Sequence, residues 1–243
     1  MNTRHASHAS FAETHWSMVL SARDWRSPKA QDALARLCQS YWYPLYAFIR
    51  RRGHSPHDAQ DLTQGFFTHL FEHDTLHRVE QEKGRFRTFL LAALTRFLNN
   101  ERDKRHTRKR GGAHKFISWD ALEAEERYRS EPGTSASPDG IFDQQWAASI
   151  VEQAQVRLRA EYVASGKGAV FAALQELLAG QTMAGAYAEL STRLQMSEPA
   201  VKVALHRLRR RFGEMLRSEI AHTVADPAEV EDELRYLFAA LGE

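Results

Sequence analysis

The sequence predicts an all-α protein made of two small helical domains joined by a flexible linker. Three observations predict it. Apolar residues recur at i, i+3 and i+4 over long stretches, the spacing of one helix face. Those stretches open on Ser-Pro or Ser-x-Pro pairs, which supply an N-cap and a first-turn proline. No strand-like alternation and no internal repeat stands out, and the abundance of Ala, Leu, Arg and Glu over Gly and Pro favours helix.

Each element can be justified in chain order. Met1 to Thr14 is polar, rich in His and Ser, and has no apolar signal core, so residues 1–13 are expected to form a loose leader. Ser27-Pro28 opens a long amphipathic helix carrying Ala33, Leu34, Leu37, Tyr41, Leu45, Phe48 and Ile49, with Pro44 expected to kink it. It should end at Arg50-Arg51-Arg52-Gly53, with cations at the C-terminal turn and glycine beyond. Ser55-Pro56 starts the next helix, with Asp58 at the capping-box position and Leu62, Phe66 and Leu70 on one stripe. A third helix is expected from about Arg85 to Arg110, its apolar face formed by Phe86, Phe89, Leu90, Leu94, Phe97 and Leu98. From Gly111 to about Asp143 periodicity lapses. An acidic patch (Asp120, Glu123, Glu125, Glu126) and a turn-rich run from Glu131 to Pro138 read as the linker, residues 112–143. Helix signals resume with Trp146, Ile150, Ala154, Leu158 and Tyr162, then around Val170 to Leu178, near Gly185 to Leu194, and from Ser197 to about Ile220. Asp226-Pro227-Ala228-Glu229 caps a last helix with Val230, Leu234, Leu237 and Leu241 on one face. Two placements suit this tail: packed on its own C-terminal domain, or a regulatory lid or partner site, whose acids could compete with DNA for the basic helix.

Composition bounds the function. A chain of 243 residues suits one large domain or two small ones, and 43% hydrophobic content supports ordinary cores. The formal net charge of +2 says little, but basic runs alternate with acidic ones. A single cysteine, Cys38, forbids an intramolecular disulfide and argues against a Cys-based zinc site, which points to a reducing, cytosolic compartment. No apolar run approaches the roughly 20 residues of a membrane span, so no membrane association is expected.

Two constellations point to nucleic acid. Residues 186–212 read as two helices joined by a short turn, a helix-turn-helix unit in which Leu190 and Leu194 face Val201, Leu205 and Leu208. Ser197 caps the second helix, Glu198 and Pro199 open it, and Lys202, His206, Arg207, Arg209, Arg210 and Arg211 line its exposed face. In such a unit the N-terminal residues of the second helix meet base edges and later arginines meet phosphates. The plainer alternative is a solvated charged face. The second constellation, Arg85 to Arg110, holds nine Lys/Arg against two acids, with Phe86, Phe89 and Phe97 interleaved at its start. So dense a run repels itself without a polyanion. The phenylalanines fit either a core or a surface that holds unstacked bases. A third stretch, Asp58 to Phe67, groups Asp58, Asp61, Leu62 and Gln64 on one half-exposed face, which fits a capped amphipathic helix as well as a protein docking surface.

These residues resemble the extracytoplasmic-function (ECF) sigma factors, minimal members of the sigma-70 family of bacterial RNA polymerase subunits. Asp58 to Phe67 is similar to their polymerase-binding segment, Gly84-Arg85-Phe86-Arg87-Thr88-Phe89-Leu90 and the following helix to their promoter-melting segment, and residues 186–217 to their −35-reading domain. The flanks Tyr41 to Tyr46 and Thr223 to Pro227 also resemble a large ECF subgroup, and the likeness spans roughly residues 14–241. It departs from common ECF patterns at Phe89, where many members carry Trp, near Arg96, where many carry Asn, and at Gln195, where the turn often has glycine.

The resemblance implies sigma region 2 over residues 14–111, region 4 over 144–222 and a helical tail over 223–243. Asp58, Asp61, Leu62, Gln64 and Phe67 would dock on the β′ clamp of core RNA polymerase. Arg85, Phe86, Arg87, Phe89, Arg96, Asn99, Arg102, Lys104, Arg105 and Arg108 would meet the −10 element of promoter DNA. Ser197, Glu198, Lys202, His206, Arg207, Arg209 and Arg210 would read the −35 element beside the β flap. No cofactor is implied, no enzymatic activity is expected, and an anti-sigma factor or other regulator is a further partner the family admits. Two rivals stand beside this reading. His69-Leu70-Phe71-Glu72-His73 matches the H-x-x-E-H zinc-hydrolase pattern, which would place two imidazoles on one helix face. A free-standing helix-turn-helix regulator would explain residues 186–217 without the other two segments.

Overall fold

The computed structural model describes residues 27–72, 85–107, 121–130, 137–178, 185–224 and 226–242. All regular structure among them is helical, as the sequence predicts. Helix α1 spans Pro28–Arg51 and runs through Pro44. It ends as expected: Gly53 adopts a positive φ of 90° and donates its N–H to the Arg50 carbonyl at 3.0 Å. Helix α2 spans Pro56–Glu72. Ser55 Oγ accepts the Asp58 N–H at 3.1 Å and donates to its carboxylate at 2.8 Å, closing a reciprocal cap. Helix α3 spans Phe86–Thr107 and buries Phe86, Leu90, Leu94 and Leu98. It meets α2 where Phe97 packs on Phe66 with ring centroids 5.8 Å apart.

The segment expected as a linker is in part helical. Helix α4 spans Ala121–Ser130 and lies against α1. Its acidic residue Glu125 does not project into solvent. Its side chain, 11% exposed, accepts hydrogen bonds from Arg50 Nε at 3.0 Å, Arg50 Nη2 at 3.1 Å, the Tyr46 hydroxyl at 2.7 Å and Arg129 Nε at 3.1 Å. Burial opposes the charge, but the hydrogen bonds from Arg50 and Tyr46 outweigh it and hold the carboxyl below the usual range. Arg127 stacks over Tyr43 at 4.2 Å and Arg50 over Tyr128 at 4.8 Å, which holds the C-terminal half of α4 against α1.

Helix α5, Pro138–Ala164, also begins inside the expected linker. Ser137 caps it by accepting the Gly140 N–H at 3.1 Å. Ile141, Phe142, Trp146, Ile150, Ala154 and Leu158 form a continuous buried stripe. This stripe joins the two halves: α5 packs along α1 and also against two later helices, Glu198–Ala221 and Val230–Gly242. Gln153 and Ser40 exchange a hydrogen bond across the α1–α5 seam at 3.0 Å. The described parts of the two halves share one hydrophobic cluster, and residues 121–130 and 138–143 of the expected linker are helical.

Helix α6, Gly168–Leu174, continues as a 3-10 turn over Gln175–Leu177. Helices α7, Ala186–Leu194, and α8, Glu198–Ala221, are joined by residues 195–197. Gln195 takes the left-handed conformation, φ 52° and ψ 42°, that the turn demands of a position where glycine is more usual. Ser197 caps α8 through the Ala200 N–H at 3.4 Å. After a 3-10 turn over Pro227–Glu229, helix α9 spans Val230–Gly242 and packs on α5 and α8. Leu234, Leu237 and Ala240 are buried, whereas Leu241, expected on that face, is exposed.

Candidate nucleic-acid interface

The predicted C-terminal face is largely present as a surface. Lys202, His206, Arg207, Arg209 and Arg210 are exposed along α8, with Glu198 at its start. Lys202 Nζ sits 5.1 Å from the centroid of Tyr187 on α7, a cation–π contact between the two helices. His206, Arg207 and Arg210 line an open cleft of about 540 Å³ between α8 and the α5–α6 turn. Lys167 of that turn joins the same cleft, a cation that sequence reasoning missed. Its signal was the Gly166-Lys167-Gly168 corner, where Gly166 has a positive φ of 72° and turns the chain back toward α8.

Two basic residues of this face have structural duties. Arg209 donates to the Leu177 carbonyl at 3.2 and 2.7 Å, tying α8 to the end of the 3-10 turn. Arg211 forks onto Glu161 at 2.7–3.1 Å and reaches Glu214 at 2.8 Å. Those hydrogen bonds raise the Arg211 pKa and hold the Glu161 carboxyl below its usual range. Arg210 pairs with Glu214 one turn on at 3.2 Å, an exposed contact that a phosphate can replace.

The N-terminal basic helix divides differently. Arg96, Asn99 and Arg102 are exposed on α3. Asn99 and Arg102 line a second open cleft of about 440 Å³ with Arg52, His54, Leu62, Leu98 and Glu101. Lys104 and Arg105 fall within α3, but their side chains, like Arg108, lie outside the described residues.

Phe86 and Arg87, expected on the DNA-facing surface, are instead buried in this fold, Phe86 at 0% and Arg87 at 9% exposure. Phe86 meets Tyr41 edge-on, with centroids 5.0 Å apart. Arg87 donates from Nε to Glu233 Oε1 at 2.7 Å, from Nη2 to Glu233 Oε2 at 3.4 Å and from Nη1 to Asp143 Oδ1 at 3.2 Å. Its guanidinium lies 3.8 Å from the Tyr236 ring centroid. Burial works against its charge, yet the Glu233 hydrogen bond and the charges of Glu233 and Asp143 prevail, and its pKa is raised. Arg85 reaches the same carboxylate, Nε to Glu233 Oε2 at 2.9 Å. Phe89 is half-buried against Phe86 with centroids 6.1 Å apart.

On α2, Asp61 is exposed and contacts His57 at 3.2 Å. Asp58, Gln64 and Phe67 are half-buried, and Leu62 turns inward at 6% exposure, so it supports the helix rather than its outer face. The H-x-x-E-H match is only partly visible. His69 packs 5.6 Å from Phe97, while the side chain of Glu72 and all of His73 lie outside the described residues. No cluster of three or more His, Cys, Asp or Glu suited to a metal occurs among the described residues, and no described helix is long and apolar enough to cross a membrane.

Comparison with protein-family models, curated sequences and solved structures finds no match.

Proposed function

We propose that this chain is a sigma factor of the ECF type, a cytoplasmic binding subunit without catalytic activity of its own. It directs core RNA polymerase to promoters. The observation that carries the reading is the α7–α8 pair. A three-residue turn with a left-handed corner leads into a Ser-capped helix whose outward face bears Lys202, His206, Arg207 and Arg210. That is a duplex-reading surface: the first turn of α8 meets base edges in the major groove, and the later arginines meet phosphates.

In this reading the exposed part of α3, with Arg96, Asn99 and Arg102, meets the −10 element. A base leaves the stack there at a cost of a few kcal/mol drawn from binding rather than from ATP. The outer face of α2, with the exposed Asp61, meets the β′ clamp, where rim charge steers approach. The α8 face lies beside the β flap, and an anti-sigma factor or other regulator would act on the same surfaces. Holding both DNA contacts on one polymerase supplies avidity that neither has alone.

One observation favours a second reading. The described parts of the connector are helical and the described parts of both halves share one core, as suits a free-standing regulator that binds operators without polymerase. Co-purification separates the two. Tagged chain is expected to retain core polymerase, and Asp61→Ala to retain several-fold less. Wild-type chain that retains none rejects the sigma reading and leaves the regulator.

A further inference from the structure

The N-terminal end of α3 is built as an anion site, and its anion comes from the C-terminal tail. Two arginines, Arg85 and Arg87, flank the first turn of the helix, where the backbone already presents the positive end of its dipole. Cations there repel the dipole unless an anion sits between them. Glu233 of α9 occupies that place, wholly buried at 0% exposure, with one oxygen 2.7 Å from Arg87 Nε and the other 2.9 Å from Arg85 Nε. The helix end is filled from the same segment: the Phe86 N–H donates to the Thr223 carbonyl at 3.0 Å. Asp143 completes the frame, accepting from Arg87 at 3.2 Å and from the Tyr236 hydroxyl at 2.5 Å. A planar carboxylate bridging two guanidiniums at a helix N-terminus offers them what a phosphate would.

We infer that Glu233 is a built-in phosphate mimic, holding the Arg85–Arg87 pair away from nucleic acid until the tail is displaced. This rests on the nucleic-acid role proposed for α3, but not on polymerase binding. The tail thus acts as an autoinhibitory plug on the basic helix nearer the N-terminus, not on the one it follows in the chain. Because the contact is polar and charged, a polyanion can substitute for it directly, which it cannot do for the aromatic seam between α1 and α5.

The test uses the full chain and a fluorescein-labelled single strand of about 20 nucleotides, longer than a typical single-strand site. Anisotropy titrations over a salt series give the slope of log K against log salt, about −0.7 per phosphate contact on single strands. Glu233→Gln is expected to bind more tightly and to steepen the slope by about 1.4, one contact for each released arginine. Arg85→Ala is expected to leave the wild-type slope unchanged but to remove about 0.7 in the Glu233→Gln background. An unchanged slope in Glu233→Gln overturns the inference, as does an equal loss from Arg85→Ala in both backgrounds. Should circular dichroism show Glu233→Gln to have lost helix, Glu233→Asp takes its place, keeping the charge but withdrawing it by one methylene. It should steepen the slope by about 0.7, and no change there is equally fatal. A chain that shows these slopes but does not retain core polymerase keeps the inference and loses the sigma reading; retention of polymerase with flat slopes does the reverse.

Discussion

Replacing Glu125 by Ala should lower the melting temperature by about 6–12 °C, at roughly 2–4 °C per kcal/mol for a chain of this size. The magnitude follows from what the carboxylate holds. Breaking one side of a buried ion pair costs about 3–5 kcal/mol. An orphaned buried hydroxyl, here that of Tyr46, costs about 1–3 kcal/mol. Arg50 softens the loss, because its side chain is 17% exposed and it keeps a second acceptor in the His54 carbonyl. That softening brings the total below the simple sum, to about 3 kcal/mol. Arg129 adds little, since its side chain is 74% exposed and surface pairs are worth about 0–1 kcal/mol. Differential scanning calorimetry of wild type, Glu125→Ala and the exposed neighbour Glu126→Ala measures the difference directly. If Glu125→Ala melts within about 2 °C of wild type, less than 1 kcal/mol is at stake. The connector would then be free, and the folded α4 described above would be refuted.

Three further outcomes are expected. Lowering the pH should reproduce the Glu125 effect. Its folded-state pKa is depressed, so its contribution is complete above the unfolded value of about 4.3 and is lost as pH falls through the folded one. The gap between wild type and Glu125→Ala should close below about pH 4; a gap that stays constant in acid contradicts the assignment. Gln195→Gly should raise stability by about 0.5–1 kcal/mol by relieving left-handed strain at φ 52°, as read by urea denaturation; any destabilisation argues against that backbone. Arg207→Ala and Arg210→Ala should each flatten the salt dependence of duplex binding by about 0.9, one phosphate contact apiece; unchanged slopes for both would remove α8 from the DNA contact.

Local signals carried much of the fold into view. Ser27-Pro28, Ser55-Pro56 and Ser197 with Pro199 each open a helix where a hydroxyl cap precedes a first-turn proline. Gly53 closes one in the left-handed region, and Gln195 takes the conformation its position requires. Ser137-Pro138 is the same signal, yet set among Gly, Thr and Ser it reads as a turn, and α5 begins there. Helix α4 was hidden because its charge is satisfied from 75 residues away, by Arg50. Arg87 shows the limit most clearly. Within its own basic run it looks like a phosphate ligand, and only Asp143 and Glu233, 56 and 146 residues distant, make it a core residue. Charge density in a sequence counts cations without revealing which of them folding neutralises. For the candidate face on α8, the exposed cations were legible because their helix pairs with a neighbour close in sequence, whereas Lys167 enters the cleft from a turn between two other helices.

Run-off transcription with purified core polymerase on genomic fragments tests the central claim most directly. The account predicts discrete transcripts from a small set of start sites when the chain is added, none with polymerase alone, and loss of those transcripts with Arg207→Ala and Arg210→Ala combined. A transcript pattern that the added chain leaves unaltered would contradict it.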